Sequence, residues 1–259
     1  ACINICPVDA ISMKEEQYGF SVPVIDKAKC INCGKCKAAC PVFGVNFHKK
    51  SKKCFAVMAQ NALRMQVSSG GVQLLAQCVI AAGGYVCGAA FDENWSVKHI
   101  IVDNLEDLKR LYKSKYVQSS TQNIFRDVEC LLKQGKTVLF TGTPCQVAGL
   151  YGYLGKDYIN LVTVDILCHG VPGDKLWQKY LEENYDKRKI KNIDFRNKDK
   201  LGWACSSLSV LMDNDETIID DTYMTPFHRN LSTRYSCDSC AFKRYERVSD
   251  ITFGDFWGI

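Results

Sequence analysis

Four cysteines and a proline within twelve residues constrain this chain more than any other feature. Cys30, Cys33, Cys36, Cys40 and Pro41 form a C-x2-C-x2-C-x3-C-P run. Three thiolates so close together wrap a tight loop around one inorganic cluster, with backbone N–H groups left over to solvate its sulfurs. The fourth cysteine leads into a helix pointing away and is directed at a second cluster. Gly34 allows a backbone turn that a side chain would oppose, and Pro41 stops the chain folding back. A zinc knuckle or unrelated thiols are the other readings, but zinc sites usually use two separated cysteine pairs.

The run also repeats. At an offset of 34 residues Cys2 matches Cys36, Cys6 matches Cys40, Pro7 matches Pro41 and Val8 matches Val42. Residues 1–50 therefore read as a two-[4Fe-4S] bacterial ferredoxin segment with its front missing, two further cysteines being expected upstream of Ala1. Crossed ligation assigns Cys30, Cys33, Cys36 and Cys6 to one cluster, and Cys2 with Cys40 to half of another.

The chain holds fifteen cysteines, an odd number. Metal-ligand spacing and odd count favour a reducing compartment over a disulfide scaffold, so a cytoplasmic location is expected. No apolar run approaches the roughly 18 residues of a membrane span. A net charge of +5 is too small to argue for nucleic acid. The basic run at 48–53 reads as a solvated linker, or as a docking patch for an acidic redox partner.

From residue 55 to 259 the pattern becomes alternating helix and strand, an α/β layer with a mixed or parallel sheet. Helices are expected at 72–82, 105–111, 124–132, 144–154 and 174–185. Strands are expected at 85–91, 99–102, 136–141, 161–167, 193–196 and 207–212. The ending at 251–259 reads as a second truncation. Gly142, Thr143 and Gln146 follow a buried strand and open a helix, the place where ligands gather in α/β sheets. Ser68, Ser69, Gly70 and Gly71 open another helix, as an anion loop or a plain cap. His169 is a candidate proton carrier or a structural histidine. Cys145 and Cys168 each follow a buried parallel-type strand and so emerge at one edge of the sheet, and Cys237 and Cys240 form a C-x2-C pair. Those four could hold a further [4Fe-4S] cluster, with zinc at the pair as the alternative. Cys54, Cys78, Cys87 and Cys130 read as buried small hydrophobes.

Seven short motifs occur in order: residues 68–71, 114–117, 142–146, 168–170, 194–196, 236–240 and 254–258. Behind a ferredoxin segment, the ordered set resembles the coenzyme F-420 hydrogenase/dehydrogenase beta-subunit family, especially its bacterial branch often found with surface-polysaccharide genes. The resemblance implies FAD and a further iron–sulfur cluster. It raises the 68–71 loop, Gly142, Thr143 and Gln146 as flavin contacts, with Lys115 neutralising the reduced flavin. The function expected is a flavin-dependent iron–sulfur oxidoreductase with a small-molecule two-electron substrate and a redox partner protein. The alternative is an electron-relay subunit serving a partner reductase or a polysaccharide-biosynthesis enzyme.

Overall fold

The computed structural model describes residues 1–43, 53–59, 63, 67, 70–197 and 207–255. The first forty-odd residues fold around two short helices, α1 (Cys2–Ile5) and α2 (Lys35–Ala38). Between them runs an antiparallel hairpin, β1 (Ile11–Glu15) with β2 (Ser21–Ile25). Gly34 caps α2 in the left-handed region at φ 73°, with open space where a Cβ would stand. The two helices pack on each other, so the two halves of the cysteine repeat face one another.

The body is an α/β layer built on a five-stranded sheet in the order β10-β6-β5-β3-β4. The strands are β3 (Tyr85–Phe91), β4 (Val97–Val102), β5 (Val138–Gly142), β6 (Leu161–Ile166) and β10 (Ile251–Phe253). β10, β6, β5 and β3 are mutually parallel, and β4 returns antiparallel at one edge. β5 lies at the centre, and Val138, Leu139 and Phe140 are all fully buried. Three consecutive buried apolar residues are what a strand covered on both faces requires. Helices α3 (Gly71–Ala81), α5 (Ile124–Lys133) and α6 (Pro144–Leu154) cover those faces, with α4 (Leu105–Leu108) packed beside α3. Val128, Leu132, Val147 and Leu150 close the core against Phe125 and Phe140. Burying each such side chain stabilises the fold by roughly 1.5–3 kcal/mol before entropy is counted.

A second, antiparallel sheet, β7 (Ile190–Asn197), β8 (Ser207–Met212) and β9 (Thr217–Asp220), follows α7 (Asp174–Asn184). It packs against α7 and α8 (Met224–His228) through Trp177, Phe195, Tyr223 and Phe227. The helix α9 (Tyr235–Asp238) carries Cys237. Among the described residues no helix is long and apolar enough to cross a membrane. The expected elements stand within a few residues of their places. The hairpin, β9 and β10 are additions, and 109–111 is a 3-10 turn, not a continuation of α4.

Candidate functional site

The parallel strands β5 and β6 end side by side, Gly142 opposite Asp165. Each is followed at once by a cysteine. Cys145 sits in the first turn of α6, and Cys168 just past the end of β6. α9 and the turn after it bring Cys237 and Cys240 to the same place. All four cysteines line one cavity of about 1600 Å³. Cys40 and Pro23 of the ferredoxin segment line it too. The four sulfurs act on one another electrostatically. Burial pushes the Cys168 thiol up to about 12, and Cys145, Cys237 and Cys240 add to that. Cys145 opens to the cavity yet is surrounded by protein, so desolvation also raises its thiol, against a 3.1 Å contact with the Thr143 hydroxyl. Among the described residues no three His, Cys, Asp or Glu side chains are grouped tightly enough for a single metal ion.

Thr143 and Gln146 cap α6 reciprocally. The Thr143 N–H and hydroxyl both donate to Gln146 Oε1, at 2.9 and 3.1 Å, and Gln146 Nε2 donates to Ser119 O at 3.3 Å. The capping box with proline in the first turn is why the chain turns helical here. A Cβ on Gly142 would meet Gln146 and Phe140 at 3.1–3.3 Å, so the missing side chain makes room for the cap. Gly70 and Gly71 are buried and do not line the cavity; Val72 and Gln73 do. A Cβ on Gly70 would strike Ala59, and one on Gly71 would strike Phe253, so close packing accounts for both glycines. Ser68 and Ser69 lie outside the described residues.

Lys115 lines the cavity, but its ammonium donates to the carbonyls of Tyr112 and Arg110 at 2.8 and 3.0 Å. Burial pulls it down to about 7, against the raising effect of Asp194. His169 lines the cavity with its ring edge-on to Phe227, centroids 5.0 Å apart.

One histidine that the sequence left without a role stands at the same wall. His99, on β4, is buried, with Nε2 3.1 Å from Thr141 O and Nδ1 2.7 Å from the Ser119 hydroxyl. A carbonyl only accepts, so Nε2 carries the proton and Nδ1 accepts from Ser119. Burial lowers its pKa to about 4. Its signal was an inward position in a strand whose neighbours alternate in burial. The cavity is also rich in cations: Arg196, Arg234, Lys243, Arg244 and Arg247 all line it. Arg196 pairs with Asp255 at 2.8 Å, and Lys113 pairs with the buried carboxylate of Asp194.

The isolated cysteines do not behave as one group. Cys87 is buried, but Cys54, Cys78 and Cys130 are exposed, which corrects their reading as core hydrophobes. Cys78 and Cys130 lie on surface helices α3 and α5, whose inward faces are taken by other residues.

Residues 135–258 match the family model for the C terminus of the coenzyme F420 hydrogenase/dehydrogenase beta subunit, and residues 1–44 match a 4Fe-4S dicluster domain. The coenzyme F420-dependent sulfite reductase of Methanocaldococcus jannaschii is 26% identical over 160 residues, covering 49% of this chain and 25% of that protein. A 7Fe ferredoxin of Hydrogenibacillus schlegelii is 44% identical over 45 residues, 17% of this chain and 51% of the ferredoxin. The chain thus spans about half or less of these relatives. A chain of the F420-reducing [NiFe] hydrogenase complex from Methanosarcina barkeri shares the fold, with a TM-score of 0.56 and 17% identity over 81% of this chain and 72% of that one. The chain is thus similar, through residues 135–258, to the C terminus of the coenzyme F420 hydrogenase/dehydrogenase beta subunit and, through residues 1–44, to 4Fe-4S dicluster domains.

Proposed function

We propose that this protein is an iron–sulfur flavoprotein oxidoreductase. Electrons pass between the [4Fe-4S] clusters of the 1–50 segment and a two-electron site in the 55–259 body. A further [4Fe-4S] cluster sits on Cys145, Cys168, Cys237 and Cys240, and FAD lies in the same cavity. The observation that carries the reading is that one cavity is lined by these four cysteines and by Cys40 of the ferredoxin segment. The donor set fits a cluster. Burial and the other three sulfurs raise the Cys168 thiol, and bound metal relieves that by taking it as a thiolate.

The cavity also fits a large anionic cofactor. It exceeds the usual small-molecule site of roughly 300–1,000 Å³ and has arginine and lysine in its walls. A flavin supplies the junction between one-electron clusters and two-electron substrates. Lys115, its pKa held near neutral by burial, takes up a proton where negative charge develops beside it, and His169 stands in the cavity wall as the candidate proton carrier. His99, neutral and locked between Ser119 and Thr141, keeps the floor fixed. The relatives' names point to coenzyme F420 as the two-electron partner.

Anaerobic purification with absorbance, metal analysis and cofactor extraction tests the proposal. Flavin bands together with cluster bands are expected. Cluster bands alone would leave an electron relay without its own substrate, and a colourless, iron-free protein would overturn both readings.

A further inference from the structure

Helix α1 has four residues, too few to hold itself together. It begins at Cys2 and is capped by Cys6, and besides its packing on α2 it is held by the α/β body. Arg126, on α5, reaches across to the C-terminal end of α1. Its Nε donates to Asn4 O at 2.8 Å, and one Nη donates to Ile3 O at 3.3 Å and to Cys6 O at 3.4 Å. The same Nη pairs with the Asp9 carboxylate at 3.0 Å. Asn4, itself buried, donates to Gln122 O at 2.7 Å, and Ala1 packs against the main core. A cation on the free carbonyls of a helix C-terminus is favourably placed. This guanidinium is bonded to the carbonyl of a cysteine whose Sγ already accepts from the Ala10 N–H at 3.2 Å.

We propose that Arg126 is a positioning residue that seats the Cys2–Cys6 segment on the body and raises the reduction potential of the cluster bound by Cys6. Reducing a cluster adds one negative charge, and a fixed positive charge a few ångströms from a ligand stabilises that state. Arginine suits the task because it keeps its charge at any ordinary pH and can serve several carbonyls from one planar head. Asp9 opposes part of the effect. Its carboxylate is largely exposed, so solvent weakens it more than it weakens the guanidinium. The α/β body thereby tunes a centre in a segment it does not itself ligate. The inference rests on Cys6 being a cluster ligand.

The test is an EPR-monitored potentiometric titration of the anaerobically loaded full chain, with iron content measured beside it. Arg126→Gln lowers the midpoint of one cluster and leaves the others in place. Arg126→Lys keeps the charge and restores most of the shift. Asp9→Asn, tolerated at Asp9's φ of 47° because asparagine also adopts that region, raises the same midpoint. Unchanged potentials in both Arg126→Gln and Asp9→Asn, at full iron content, overturn the proposal. If Arg126→Gln loads no iron, Asp9→Asn decides: an upward shift upholds the tuning and no shift overturns it. Cys6→Ser separates the two levels. Loss of one cluster signal upholds the ligand, and then only the Arg126 role is at stake. A full set of signals in Cys6→Ser shows that the ligand assignment failed and takes the proposal with it.

Discussion

Arg247 stands 3.0 Å from the Asp165 carboxylate, which is wholly shut off from solvent. Asp165 lies on β6 three residues before Cys168, and Arg247 lies seven residues after Cys240. The same guanidinium donates to Ile166 O at 3.2 Å, Arg244 O at 3.4 Å and Phe242 O at 3.5 Å. One ion pair therefore ties the loop after Cys240 to the strand that delivers Cys168. Removing Arg247 leaves a buried carboxylate uncompensated, which costs about 3–5 kcal/mol. Urea unfolding of Arg247→Met is expected to show a loss of that size. Adding Asp165→Asn is expected to recover a good part of it, because the second change removes the stranded charge. A double-mutant cycle with no coupling would contradict this account.

The cap of α6 predicts a smaller effect. Thr143→Ala removes the hydroxyl half of the box, and such caps are worth about 1 kcal/mol. Gly142→Val is expected to do more harm. Its branched side chain would start from a Cβ position already at 3.1–3.3 Å from Gln146 and Phe140. Thermal unfolding ranks the two, Gly142→Val below Thr143→Ala. The reverse order would mean that Gly142 faces open space.

Local pattern made most of the body legible. Continuous apolar runs announced β5 and β6, and the glycine after residue 134 ended α5 where expected. Cys145 and Cys168 could be placed together because two adjacent parallel strands share one carboxyl edge. What stayed hidden depends on contacts distant in sequence. β10 is three residues long and forms only by pairing with β6. β4 is antiparallel because it follows β3 through a tight turn, which periodicity does not report. Arg126 looked like any surface cation on a helix, since its partners lie in the first nine residues. The glycines at 70 and 71 left two readings open, an anion loop or a plain cap. A phosphate loop and a crowded packing site both call for glycine, and Ala59 and Phe253 supply the crowding.

His99 makes stability depend on pH. Burial lowers its folded pKa to about 4, below the usual imidazole value of 6.5. Above pH 6.5 both folded and unfolded states hold it neutral, so it contributes no slope. Between 6.5 and 4 the unfolded chain binds the proton and the folded one does not. Stability therefore falls as pH falls through that window, by up to about 3 kcal/mol. His99→Gln, which can still donate to Thr141 O, is expected to flatten this part of the profile. Denaturant midpoints at pH 7.5, 6 and 5 for both proteins measure it, and parallel profiles would show that the histidine is not the titrating group.

Cysteine accessibility gives the last prediction. Cys87 is fully buried in β3, and burial raises its thiol far above the normal range, so almost no thiolate is present to react. Cys54, Cys78 and Cys130 are exposed. Iodoacetamide applied to the native protein under anaerobic conditions, followed by peptide mass spectrometry, is expected to label these three and leave Cys87 unmodified until denaturant is added. Replacing Cys78 and Cys130 together by serine is expected to leave iron content unchanged, whereas Cys168→Ser should remove about four iron atoms per chain, one cubane. The contrast separates thiols that merely stand on the surface from those that share the cavity. Equal iron loss in the two variants would place a metal ligand on α3 or α5, where both thiols stand on the exposed face of the helix.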